Sequence, residues 1–129
     1  MSKAIVLTEF GDSSVLNYTD VETPVAGPGQ VLVRMGATGV NFIEIYQRTG
    51  TYSIPLPHIL GAEGMGTVEA LGEGVTNLEL GQRIAFTDGI ATYAEFALVP
   101  ADKALLIPAG MDDLTAAALP LQGMTAHYL

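Results

Sequence analysis

Asn41, Glu44, Tyr46 and Tyr52 stand close together in the stretch N-F-I-E-I-Y-Q-R-T-G-T-Y, and their side chains could act on a carbonyl-bearing ligand. Asn41 carries an amide with donors and an acceptor. A phenol, with an ordinary pKa near 10, stays protonated at neutral pH. Tyr46 and Tyr52 could therefore donate hydrogen bonds to a carbonyl oxygen that gains negative charge. Each residue also has a plainer reading. Asn41 directly follows a strand-like run and could simply cap the next helix, with Glu44 three residues on completing a capping box. The two tyrosines could be amphipathic packing residues whose hydroxyls reach water.

Other chemistries are set aside by residue type. The chain has no cysteine, which removes disulfides, thiolate metal sites and cysteine nucleophiles. Its two histidines, His58 and His127, lack a close Asp/Glu/His cluster and make a poor metal site, so both are expected to be structural. Glu63, in the turn G-A-E-G, can bond backbone amides that glycine-rich turns leave exposed, and is expected to be structural. No G-K-[ST] phosphate loop, H-E-x-x-H or G-x-S-x-G occurs. The string Gly64-Met-Gly66-Thr-Val-Glu69 lacks the third glycine of a dinucleotide turn and continues as a strand.

With 14 acidic and 5 basic residues, the formal charge is −9. That field repels phosphate backbones and anionic lipid, so neither nucleic acid nor membrane is expected as a partner. The 129 residues have room for one modest core, and 49% hydrophobic with 15% charged residues marks a globular chain. No basic n-region or long apolar stretch follows Met1, and the expected location is the cytoplasm.

These side chains must be positioned by many short strands. Candidates are Ala4–Glu9, Val15–Val21, Gln30–Val40, Gly64–Leu71, Arg83–Phe86, Thr92–Val99 and Ala104–Ile107. Turn signals separate them, among them Ala26-Gly-Pro-Gly29 and Gly72-Glu-Gly74. The pattern predicts a small, irregular β-barrel. A helix is predicted over Phe42–Arg48, capped by Asn41 and closed by Gly50. The two prolines of Thr51–His58 predict an extended loop. Asp112 should cap an Ala-rich helix, and Pro120 should end it or open the next.

The strings A-T-G-V-N-F-I-E-I-Y-Q-R-T-G and H-I-L-G-A-E-G-M-G-T-V-E-A-L-G-E-G-V resemble the catalytic domain of medium-chain dehydrogenases/reductases. In the zinc alcohol dehydrogenases of that superfamily the Asn41 position is a Cys and the Ala62 position a His. Both ligands are missing here, and Gly81-Gln-Arg83-Ile-Ala-Phe runs on without the four-cysteine insertion of those enzymes. The resemblance is therefore to the zinc-free quinone reductase (zeta-crystallin) branch, and it implies a metal-free site. It also implies a mainly β, GroES-like partly open barrel with short helices.

By the same resemblance, Asn41 and Glu44 lie toward the nicotinamide ribose, Tyr46 and Tyr52 face the cofactor and substrate cleft, and Thr125 reaches the nicotinamide carboxamide. The implied cofactor is NADPH and the implied substrate a quinone or related conjugated carbonyl. An enoyl or alkenal reductase of the same superfamily, or a non-enzymatic GroES-like interaction module, are the alternative readings. Gln122 stands where some relatives carry Lys.

The domain reading is residues 1–111 as the catalytic domain and 112–129 as terminal helices leading into a nucleotide-binding Rossmann domain absent from this chain. A final helix that reaches Leu129 without a capping signal is expected of a fragment, and the apolar face of residues 119–129 is expected to favour self-association, giving a homo-oligomer.

Overall fold

Alternating apolar and polar residues decide which face of each strand is buried. The computed structural model describes all residues 1–129. Strands β1 (Ser2–Leu7) and β2 (Leu16–Val21) pair antiparallel, with Ala4 opposite Thr19 and Leu7 opposite Leu16. After β3 (Gln30–Thr38) comes helix α1 (Phe42–Thr49), and then β4 (His58–Ile59), which pairs with the other edge of β1. The remaining strands are β5 (Gly64–Leu71), β6 (Arg83–Phe86), β7 (Phe96–Pro100) and β8 (Leu105–Leu106). One sheet has the order β2-β1-β4 and the other β7-β3-β5-β6-β8.

The two sheets meet through residues 93–95. Ile5 N–H donates to the Tyr93 carbonyl at 2.8 Å and Glu95 N–H to that of Lys3 at 2.8 Å, while Met35 N–H donates to that of Glu95 at 2.9 Å. This segment is thus held by β1 on one side and β3 on the other. The assembly is mostly sheet and does not close, in agreement with the partly open GroES-like barrel expected from the sequence.

Val31, Val33, Val68, Ile84, Phe86 and Val99 form the main core, all at 2% exposure or less. Their strand partners face outward, as Arg34 and Glu69 do in a surface ion pair of 2.6 Å. A second, smaller cluster joins Met65 and Ala85 to Ala116 and Ala117 of helix α2 (Asp113–Ala118). Small side chains let that helix lie close on the sheet. Pro120 opens helix α3 (Pro120–Tyr128), which buries none of its residues. No helix is long and apolar enough to cross a membrane.

Several boundaries differ from the sequence expectation. Val15 belongs to a 3-10 turn over Ser13–Val15, because the Asp12 side chain accepts from Ser14 N–H and tightens it. The strand expected over Thr92–Val99 starts only at Phe96, since residues 93–95 are shared between two sheets and make only an isolated bridge at Ala94. The last candidate strand shrinks to Leu105–Leu106. The expected proline loop ends in a short strand at His58, paired with Leu7.

Candidate active site

The site is organised around a carboxylate. Glu63 sits just before β5 and is 1% exposed. Its backbone carbonyl accepts from Gly39 N–H at 2.8 Å and from Thr38 Oγ1 at 3.1 Å, which ties it to the end of β3. Its Oε1 accepts from Asn41 Nδ2 at 3.1 Å and Gln122 Nε2 at 3.3 Å, and its Oε2 accepts from Leu121 N–H at 2.9 Å. Gln122 Nε2 also donates to Asn41 Oδ1 at 3.1 Å. A buried carboxylate requires such partners, and here three N–H groups supply them.

The strand-to-helix corner admits this arrangement because residue 39 is glycine. A Cβ on Gly39 would collide with Glu63 Oε1. The carboxylate also caps a helix from a distance: Leu121 is the second residue of α3, whose N-terminal amides lack a side-chain cap from Leu119. The anionic group there is favoured by the helix dipole. Gln122 and Leu121 therefore bring the terminal helix to the Asn41 corner, a link across 58 residues for the Leu121 bond.

Asn41 is the N-cap residue of α1, and Glu44 accepts its backbone N–H as the capping-box acid. Glu44 is 3% exposed. Burial pushes its carboxyl above the usual range, the Asn41 N–H bond opposes that shift, and the neighbouring Glu63 charge adds to it. Tyr93 is half-buried against Gly61, and burial, with the Glu44 charge second, pushes its phenol up to about 12. Tyr93 carried no motif signal in the sequence.

Tyr46 and Tyr52 come together on the surface side of α1, 42% and 53% exposed, with ring centroids 5.4 Å apart in an edge-to-face pair. Tyr52 N–H donates to the Tyr46 carbonyl at 3.1 Å, which fixes the turn after α1. Thr125 is exposed on α3, three residues beyond Gln122 and hence on the same face. His58 starts β4 and His127 is exposed near the end of α3. No three His, Asp or Glu side chains group so as to hold a metal ion.

Residues 27–109 match the alcohol dehydrogenase GroES-like domain. The chain belongs to that family. Along its whole length it is 41% identical to a quinone oxidoreductase of Pseudomonas aeruginosa, and 36% identical to a 2-haloacrylate reductase of a Burkholderia species, covering 40% and 41% of those proteins. Its fold is similar to that of Escherichia coli quinone oxidoreductase complexed with NADPH, at a TM-score of 0.94 and 32% identity over 98% of this chain and 39% of that one. The chain thus spans about 40% of the length of such relatives.

Two clefts open on this GroES-like domain. The larger, about 580 Å³, lies between α1, β1 and β4 and has a mostly apolar wall that includes Val6, Ile43, Ile59 and Ile90, with Glu44 and Ala62 also at its edge. The smaller, about 420 Å³, is bordered by Tyr18, Met35, Thr38 and Tyr93. Neither is lined by Tyr46, Tyr52 or Asn41. The two tyrosines pair with each other by the C-terminal half of α1, and Asn41, at the other end of that helix, meets α3.

Proposed function

We propose that this GroES-like domain is the substrate side of an NADPH-dependent quinone reductase, with residues 1–111 as the catalytic domain and 112–129 leading into a nucleotide-binding domain. The observation that carries this reading is the 41% identity, end to end, to a quinone oxidoreductase. Geometry supports a role for the nicotinamide end of the cofactor at Asn41, Gln122 and Thr125. Asn41 is half-buried with its amide plane held, Gln122 of α3 presents its amide beside it, and Thr125 is exposed on the next turn of that helix. Such neutral acceptors and donors suit a sugar hydroxyl and a carboxamide. When bound, the reduced nicotinamide supplies a hydride. The chain's own residues orient the reactants and donate hydrogen bonds, with Tyr46 and Tyr52 as donors to the substrate oxygen.

The proposed site is metal-free. Where zinc relatives have a Cys, Asn41 turns an amide N–H onto Glu63, whose oxygens are already taken by N–H donors. A cytoplasmic, homo-oligomeric enzyme belongs to the same proposal. A second reading, reduction of a conjugated carbonyl, is favoured by the 36% identity to a 2-haloacrylate reductase. Steady-state oxidation of NADPH by the whole protein that carries this domain decides between them. Preference for quinones over conjugated enals and acrylates supports the first reading, the reverse preference supports the second, and a folded protein that turns over neither class overturns both.

A further inference from the structure

We infer that Glu63 is a positioning residue that sets the polarity of the Asn41 and Gln122 amides. The inference rests on the proposal that Asn41 meets the nicotinamide ribose, and it concerns how that contact is prepared. An ionised carboxylate only accepts, so an amide beside it must turn its NH2 group inward. Asn41 Nδ2 and Gln122 Nε2 both do so, at 3.1 and 3.3 Å from the same Oε1. Gln122 Nε2 then donates to Asn41 Oδ1 at 3.1 Å, which closes a ring in which each bond direction follows from the charge of Glu63.

The carboxylate itself is locked. Leu121 N–H, a donor that cannot reverse, holds Oε2 at 2.9 Å, and Gly39 leaves no space on the other flank. At 1% exposure water has no access to soften these preferences. Both Gln122 hydrogens are used within the ring, so its Oε1 points away on an exposed residue, and Asn41 Oδ1 keeps one lone pair free. The corner thus offers acceptor oxygens, complementary to a ligand hydroxyl.

Glu63→Gln separates polarity from packing. The Leu121 N–H would hold the oxygen of the new amide, and its NH2 would face Asn41 and Gln122, which must then flip. The corner would offer N–H donors in place of acceptors with the same shape and number of bonds. In the whole protein, NADPH affinity by calorimetry and the KM for NADPH should each worsen about tenfold with a smaller change in kcat, the scale of one mismatched hydrogen bond. Adding Asn41→Asp should recover most of the loss, because an acceptor-only group returns to position 41 and the net charge is unchanged.

On the 129-residue chain, the Asn41 and Gln122 side-chain NH2 protons should exchange slowly by NMR. Unprotected NH2 protons in the unsubstituted chain would overturn the inference without any variant. So would unchanged NADPH affinity in Glu63→Gln, or a double variant as weak as the single one. If the unsubstituted whole protein binds no NADPH, the functional proposal fails, and the NMR result still decides the polarity.

Discussion

At the tyrosines, exposure and pairing argue against an obligatory acid. Tyr46 and Tyr52 rest edge to face, with 42% and 53% of each exposed. A preorganised, water-excluded donor to a developing oxyanion contributes about a hundredfold to a thousandfold in rate, and a half-exposed one contributes less because water competes with it. Tyr52→Phe in the whole protein should therefore slow quinone turnover by less than about a hundredfold. Complete loss in a folded variant would make Tyr52 essential, and an unchanged rate would return it to packing. Glu44 yields a pH prediction. Its folded carboxyl titrates above the ordinary value of 4.5, chiefly through burial, so the folded state holds its proton more tightly than the unfolded state. The sign follows: this group makes stability fall as pH rises from about 4.5 through the raised value. Glu44→Gln keeps an acceptor for the Asn41 N–H and removes that titration. Urea denaturation should show it gaining stability relative to the unsubstituted chain at pH 7 and little or none at pH 4; an equal gain at both would refute the assignment.

The residue scale also shows what could be read beforehand. Asn41 and Glu44 were legible because capping is local, with three residues separating them. The anchoring of Glu63 was not, because its partners Leu121 and Gln122 lie 58 and 59 positions away. A carboxylate in a glycine turn carries no mark of which distant helix it will cap.

Among the elements, the interior strands were legible where alternation is strict, as in Val31, Val33 and their neighbours on β3. Helix ends were legible too: Gly50 takes φ 81° and its N–H donates to the Gln47 carbonyl, and Asp112 accepts from Thr115 N–H at 2.8 Å. The segment at residues 93–95 was not, since its hydrogen bonds go to two different sheets and no periodic pattern records that. The α1 terminus can be tested. A left-handed backbone costs a residue with a Cβ about 1–2 kcal/mol, and a Cβ on Gly50 would also stand 3.0 Å from Phe10 Cγ. Gly50→Ala should lower the urea-denaturation stability by about that amount. A variant as stable as the parent would mean that the turn relaxes away from φ 81°.

At the scale of the whole molecule, the question is how much of a dinucleotide these 129 residues can hold. Pyrophosphate is ordinarily anchored by free N–H groups at a helix N-terminus in a glycine-rich turn. The α3 N-terminus beside the Asn41 corner is already occupied by the Glu63 carboxylate, which would repel a phosphate. The net charge of −9 works in the same direction on a polyanionic cofactor. Contacts at Asn41, Gln122 and Thr125 would leave only the nicotinamide end held. Relative to a typical micromolar site, loss of the phosphate anchor should weaken NADPH binding toward millimolar, about 4 kcal/mol. The terminal helix and its start leave Leu119, Met124 and Tyr128 uncovered at 51%, 50% and 89% exposure, so the isolated chain should also self-associate. Calorimetric titration with NADPH, with sedimentation to set the association state, measures both. Micromolar affinity in the isolated chain would mean that its own residues hold the phosphates, and the division of labour between two domains would have to be abandoned.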